Sequence, residues 1–280
     1  MASCAIRPLT AVIGAEIEGI DLRRRLTDDE RQVVEEALLR HHVLVFRGAN
    51  IDEEQHIALA AQFGDVHLPP VPTKHGGPPE INILDQTDAR GDGADRWHSD
   101  NSYIAMPPMG SLLKAVTIPS VGGDTCFANM HAAYDNLTDP MKRYVEGLIA
   151  VHDVAPILVM AIEGGNSDFD LEEMKRKLPP IEHPVVRTHP VTGRKLLYVN
   201  EGSTARIKGV PRRESEAVLA VLCDQARSPD VQCRVKWNEG DLVFFDNRCT
   251  QHYAVPDYNE RRVMHRVTIK GERPFYAAAA

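Results

Sequence analysis

The sequence predicts one α+β domain built on a β-sandwich or jelly roll. Three observations carry that expectation. Many brief apolar or alternating runs are bounded by Gly, Pro, Asn and Asp, the pattern of short strands joined by tight turns. Helical patterns concentrate in the first half of the chain and again around 213–226. No internal repeat appears and no linker is long enough to separate domains, so residues 1–280 are expected to form a single domain.

Residues 8–22 alternate loosely through Leu9, Val12, Ile17, Ile20 and Leu22, with Gly14 and Gly19 as turn points, which suggests short strands. Thr27-Asp28-Asp29-Glu30 fits a capping box, and the helix behind it places Val33, Val34, Ala37 and Leu38 on one face. Val43-Leu44-Val45-Phe46 reads as a buried strand. Asp52 with Gln55 caps a second helix expected to run to about Phe63, before Gly64. From His67 to Gly93 the composition turns to Pro and Gly, interrupted by one short strand at 81–84. Long loops in compact enzymes are commonly lids or binding loops, so 68–93 is the expected lid of an active site.

Next come an expected strand through Trp97–Asn101, another at 111–118, and a Gly122-Gly123-Asp124-Thr125 turn into a short strand. Helical segments follow through 130–148, and 160–180 looks like a polar excursion over the surface. Residues 184–199 resemble a hairpin turning at Pro190 and Gly193, and 213–226 an amphipathic helix. Residues 231–237 and 242–245, joined by Asn238-Glu239-Gly240, suggest a second hairpin, and 263–269 a last strand.

The formal net charge of −8 argues against a general nucleic-acid grip, which needs basic surface to displace counterions. It leaves room for a small anionic substrate held locally by one or two arginines. Cys4, Cys126, Cys223, Cys233 and Cys249 form no C-x-x-C pair, which suits a reducing compartment and structural thiols better than a disulfide framework or a zinc site. There is no apolar leader and no run of membrane-spanning length, so a cytoplasmic protein without a membrane partner is expected.

The chemistry starts at Trp97-His98-Ser99-Asp100-Asn101-Ser102-Tyr103. On an extended strand His98 and Asp100 share a face, offering an imidazole and a carboxylate together. That is two-thirds of a 2-His-1-carboxylate facial triad, though alone it is a weak signal beside a loop hydrogen-bonding pair. Most of the other histidines read as structural: His41 and His42 at a helix C-terminus, His56 and His131 in helices, His152 in a strand, His183 and His189 before prolines. His252 differs, because Gly240–Arg248 reads as a buried strand ending in a polar turn and Gln251-His252-Tyr253 follows at the sheet rim. Arg262 and Arg266 then sit four apart on a strand, on one face. They would pair there with Asp246, Asp257 or Glu260, or with the carboxylates of a ligand.

Taken together, these residues resemble the taurine dioxygenase and 2,4-dichlorophenoxyacetate dioxygenase family of Fe(II)- and 2-oxoglutarate-dependent oxygenases. Gly122-Gly-Asp-Thr125, His183-Pro-Val-Val-Arg-Thr-His-Pro190, Asp246-Asn-Arg248, Thr250-Gln-His-Tyr253 and Arg261-Arg-Val-Met-His-Arg266 resemble family segments in the same order, across roughly residues 8 to 276.

The resemblance implies a double-stranded β-helix, a distorted jelly roll with flanking helices. It implies Fe(II) on His98, Asp100 and His252 as the catalytic centre, with the distal carboxylate of 2-oxoglutarate on Arg262 and Thr125, and O₂ as co-reactant. Arg266, assisted by the Asn101 backbone N–H, would take the anionic group of the substrate. Pro69, Pro72 and Ala94 stand where the taurine enzyme has polar contacts, so an alkyl sulfate, alkylsulfonate or aryloxyalkanoate fits better than taurine. A true taurine dioxygenase is the alternative, followed by a cupin-type metal enzyme and a jelly-roll binding module. Oligomeric state is open, a homo-oligomer included.

Overall fold

The computed structural model describes residues 4–70, 77–87, 94–163 and 170–278. The Thr27 hydroxyl accepts the Glu30 N–H and the Glu30 carboxylate accepts the Thr27 N–H, the capping box that starts α1, Asp28–His41. Asp52 and Gln55 do the same for α2, Glu53–Ala60, which gives way to a turn before Phe63. Around these helices run β1 (Ala5–Pro8), β2 (Ala15–Glu18), β3 (Val43–Phe46), β4 (Val66–His67), β5 (Asn82–Gln86), β6 (Gly110–Thr117) and β7 (Thr125–Asn129). After them come α3 (Met130–Asp135), α4 (Asp139–Val145), β8 (Ile149–His152), α5 (Ala155–Glu163), α6 (Leu171–Lys177), β9 (Ile181–Pro184), β10 (Val186–Thr188), β11 (Lys195–Leu197) and β12 (Thr204–Ile207). The chain closes with α7 (Arg212–Asp224), β13 (Gln232–Val235), β14 (Leu242–Asp246), β15 (Thr250–Ala254) and β16 (Arg262–Ile269).

The large sheet runs β1-β2-β3-β14-β6-β16-β4, with β5 also paired to β16. A three-stranded sheet, β13-β7-β15, packs against its inner face. β14 shows how one strand serves both sides. Val243 and Phe245 point inward to Phe127, Val235 and Met264, while Leu242 and Phe244 point outward among Val34 and Leu38 of α1 and Leu59 of α2. Burial on both faces is why the strand reads as an unbroken apolar run. A third apolar cluster covers the far side of the small sheet, built from α3, α7 and the β10-β11 pair. The segments that carry His98 and His252 border this packed two-sheet core.

Several local expectations are corrected. Residues 97–101 form no strand: His98 makes one isolated bridge to His252, and the chain then turns, with Asn101 at φ 50°. β13 and β14 are no hairpin, since β13 pairs with β7 while β14 pairs with β3 and β6. The Asn238–Gly240 turn carries the chain from one sheet to the other, pinned by Asp241, whose carboxylate accepts the N–H groups of Asn238 and Gly48 and the Arg47 guanidinium. The supposed surface excursion holds two helices. α5 hid because it is apolar all round, without helical period. Asp153 accepts the Ala155 N–H at its start, and Pro156 falls in the first turn, where a missing N–H costs nothing. His183 lies in β9, whereas His42 sits at the C-terminus of α1 as expected, as its buried left-handed cap. Burial lowers the His42 pKa to about 4, so it is neutral. Of the predicted lid only 68–70 and 77–87 are described, and β5 lies within them. The five cysteines are free thiols, and no helix among the described residues is long and apolar enough to cross a membrane.

Candidate active site

Two chain segments 252 − 98 = 154 residues apart meet at this site. His98 and His252 exchange backbone hydrogen bonds, His98 N–H to the His252 carbonyl at 3.1 Å and the reverse at 2.8 Å. Their rings face each other with centroids 4.1 Å apart. The His252 ring packs against the Phe127–Phe245 pair, 5.9 Å from one centroid and 5.0 Å from the other. The His98 Nδ1 lies 2.8 Å from the Arg96 carbonyl, which can only accept, so Nδ1 carries the proton and Nε2 keeps its lone pair. One donor atom each from His98, Asp100 and His252 lies within 4.8 Å of the others.

Asn247 positions the carboxylate. Its side-chain oxygen accepts the Asp100 N–H at 2.7 Å, and its amide donates to the carbonyls of Asp100 at 3.0 Å and Pro108 at 2.9 Å. Ser111 donates to Asp100 Oδ2 at 2.7 Å, leaving Oδ1 toward His252 Nε2 at 3.9 Å. The Arg266 guanidinium also reaches Asp100 Oδ1. Burial lowers the pKa of His98, and burial with the neighbouring His98 lowers that of His252 to about 3. For Asp100 burial works upward, but Arg266, the two imidazoles and Ser111 overcome it and hold the carboxyl at about 2. At neutral pH the cluster is therefore two neutral imidazoles and one carboxylate, a donor set suited to a divalent cation such as Fe(II).

Arg262 and Thr125 come together on the same cavity. Arg262 Nε donates to the Gly123 carbonyl at 3.0 Å, and its Nη2 lies 3.4 Å from the Thr125 hydroxyl, which also accepts from Trp237 Nε1 at 3.0 Å. Gly123 makes this approach feasible: its φ is 73°, and a Cβ there would press within 3.2 Å of Arg262 Cδ. Asp246 bonds Arg248 and His189, Asp257 bonds Arg234 and the Gly123 N–H, and Glu260 bonds Ser120. The cavity, about 190 Å³, takes in both arginines, Thr125 and the triad, with apolar walls from Leu84, Leu113, Ile157 and Phe245. Asp100 is the one carboxylate among the described residues that line it.

Ala94 and Asn101 border this cavity; the half-buried Pro69 does not, and Pro72 lies outside the described residues. Sequence reasoning missed Ser111, Tyr103, Ile157 and the role of Asn247. The Asp246-Asn247-Arg248 trio after four buried apolar strand residues was the available signal for Asn247, since polar side chains that deep must have partners.

Behind the site, Asp246 is fully buried and accepts from Arg248 Nε at 2.9 Å, Arg248 Nη2 at 2.7 Å and His189 Nε2 at 3.2 Å. Burial alone would raise its pKa, yet the Arg248 hydrogen bonds and charge, with His189, hold it well below the usual carboxylate range. Asp246→Asn is expected to cost about 3 kcal/mol by leaving the buried Arg248 charge uncompensated. Because the folded-state pKa is depressed, the wild-type contribution is present above the unfolded value near 4 and is lost as pH falls toward the folded one. Urea unfolding of both proteins should show a gap that is constant at neutral pH and narrows below about pH 4. A gap independent of pH would mean that Asp246 acts only through packing.

Comparisons with known proteins place the chain in a family. The model of the Taurine catabolism dioxygenase TauD, TfdA family matches residues 5–268. An alkylsulfatase of Acinetobacter baylyi is 36% identical over 282 residues, spanning 95% of this chain and 85% of its own. An alpha-ketoglutarate-dependent 2,4-dichlorophenoxyacetate dioxygenase of Cupriavidus pinatubonensis is 34% identical over 284 residues, 95% of this chain and 97% of its own. The crystal structure of AAD-2 in complex with Mn(II) and N-oxalylglycine superposes with a TM-score of 0.83 at 33% identity, covering 97% of this chain and 99% of that one. The chain belongs to the TauD/TfdA dioxygenase family.

Proposed function

We propose that this protein is an Fe(II)- and 2-oxoglutarate-dependent dioxygenase that hydroxylates a C–H bond of a small organic anion with an apolar tail. The observation that carries the reading is the meeting of His98, Asp100 and His252 with Arg262 and Thr125 on one cavity. His98, Asp100 and His252 would hold Fe(II), which with 2-oxoglutarate and O₂ supplies the oxidant and releases succinate and CO₂. Arg262 and Thr125 would bind the distal carboxylate of the cosubstrate, their guanidinium and hydroxyl donors already fixed by Gly123 and Trp237. The Phe127 and Phe245 rings and the two-sheet core hold the imidazoles in place before anything binds, and the apolar walls exclude water around the reacting C–H. In fold terms the two packed sheets fit a single double-stranded β-helix domain.

Arg266 would bind the substrate's anionic group. Its Nε is buried without a hydrogen-bond partner among the described residues, so an incoming oxyanion would satisfy it, and the Asn101 backbone lies on the same cavity. Asp100 is the only carboxylate among the described residues lining the cavity, so no second carboxylate is there to pair with taurine's ammonium, whose uncompensated burial costs several kcal/mol. An alkyl or aryl tail gains roughly 25 cal/mol per Å² against Leu84, Leu113, Ile157 and Phe245. Alkyl sulfates, alkylsulfonates and aryloxyalkanoates meet both requirements, in keeping with the names of the relatives.

Succinate release followed across taurine, a longer alkylsulfonate, an alkyl sulfate and an aryloxyalkanoate tests the proposal. An apolar-tailed anion should exceed taurine in kcat/KM by at least tenfold, with most of that activity lost in Arg266→Ala. Preference for taurine would overturn the substrate assignment, and no succinate from any anion would overturn the reaction.

A further inference from the structure

A second cluster of ligating side chains lies outside the site just described. His42, the cap of α1, His131 in α3 and Cys249 in the turn between β14 and β15 are all buried, and one ligand atom from each lies within 4.8 Å of the others. The three come from distant stretches of the chain, so no C-x-x-C spacing marks them and cysteine counting reads Cys249 as inert.

The imidazoles can offer lone pairs, and the Cys249 thiol, pushed well above its ordinary pKa by burial and by Asp246, must give up its proton to bind. The His131 Nδ1 sits 2.8 Å from the Lys195 carbonyl and so carries the proton, which leaves a lone pair on Nε2. That Nε2 is buried with no hydrogen-bond partner among the described residues. An orphaned acceptor in a fully buried residue is costly and calls for an explanation. Cys249 Sγ lies 3.4 Å from His42 Nδ1, as a thiol donating to an imidazole would, or as two ligands of one metal would. The first account explains His42 and leaves His131 unexplained; the second uses all three. Burial lowers the pKa of His42 to about 4 and of His131 to about 3, so both imidazoles are neutral.

We propose that His42, His131 and Cys249 form a second, sulfur-containing metal site that takes a soft cation, Cu(I) or Zn(II). Metal–nitrogen bonds near 2.0–2.1 Å and a metal–sulfur bond near 2.3 Å separate donors by about 3.5–4 Å, so small side-chain rotations close the observed cluster around an ion. On binding, the Cys249 S–H bond breaks, the sulfur–metal bond forms and the proton leaves to solvent. Asp246 and His189 stand close to Cys249 and do not complete the shell. Both Asp246 oxygens are taken by Arg248 and His189, and His189 Nδ1 accepts the N–H groups of Val191 and Thr192. Three donors in a dry setting, with one thiolate, make Cu(I) electrically neutral there, whereas Zn(II) keeps one positive charge. The iron-site residues His98, Asp100 and His252 offer no sulfur, so the two sites are chemically distinguishable.

The test uses the full chain, reduced, stripped of metal and kept anaerobic, given one equivalent of Zn(II) or, in a separate arm, of Cu(I), and examined by X-ray absorption at the metal edge. The expected result, in at least one arm, is a shell of one sulfur near 2.3 Å with nitrogen neighbours. That sulfur should vanish in Cys249→Ser, persist in Asp100→Ala, and bind at least tenfold more weakly in His131→Gln. A sulfur-free shell in both arms overturns the proposal, as does a sulfur shell that survives Cys249→Ser. If Cys249→Ser does not fold, the wild-type shell and His131→Gln, which removes the unpartnered Nε2 together with the Nδ1 bond to Lys195, decide between the same outcomes.

Discussion

Asp100→Ala is expected to abolish turnover while the chain stays folded. The substitution removes the only anionic donor of the three and leaves two neutral imidazoles to hold a divalent cation. It also strips the Arg266 guanidinium of its carboxylate partner, so a positive charge remains beside the place the cation would occupy. Loss of an outer partner of a metal ligand costs about 10- to 100-fold, and loss of the ligand itself should exceed that in both Fe(II) affinity and rate. The fold should survive, because Asn247 grips the backbone of residue 100, and that grip does not depend on the side chain. Fe(II) titration, succinate release and circular dichroism measured on one preparation check all three statements. Hydroxylation at the wild-type rate would remove Asp100 from the metal site.

Arg262→Ala should raise the KM for 2-oxoglutarate steeply and change the affinity for the prime substrate far less. Truncation leaves a carboxylate without its partner in a partly desolvated site, a loss of about 2–5 kcal/mol, which corresponds to roughly 30-fold to several thousandfold in affinity. Arg262 also donates to the Gly123 carbonyl, so a purely structural role is a real competitor. The split between the two KM values separates them. Slackening of the Gly122-Gly123 turn would disturb both substrates and lower the melting temperature, whereas loss of a carboxylate partner falls on the cosubstrate alone. An unchanged 2-oxoglutarate KM would assign Arg262 to the turn.

Local signals in the sequence were legible where they act over a few residues. The Thr27 and Asp52 caps, the run at β3 and the spacing of Arg262 and Arg266 depend on near neighbours, and all appear as expected. What failed depended on distant partners. β13 and β14 look like a hairpin because they flank a turn, but pairing with β7 in one case and with β3 and β6 in the other outweighs the nearness of their ends. His98 and Asp100 were placed on a strand by alternation, whereas a single bridge and a left-handed Asn101 orient them. α5 could not be read because its nearly all-apolar run, Ala155 to Ile162, has no polar face to set a period, and with it went Ile157 on the cavity wall. Asn247 and Ser111 were invisible as partners of Asp100 for the same reason: 147 and 11 residues separate them from it, and only the fold brings them near.

The bridge between His98 and His252 also bears on how the protein is made. Closing so long a loop costs conformational entropy that only the surrounding β pairing repays. During synthesis from the N-terminus, His98 and Asp100 leave the ribosome long before their partners, and at about 5–20 residues per second roughly ten seconds or more pass before His252 and the two arginines follow. Through that interval a nascent chain carries an imidazole and a carboxylate but no closed cage, so it has little hold on Fe(II). Capture of the redox-active ion by His98, Asp100 and His252 would thereby be deferred until the walls that confine its chemistry have formed.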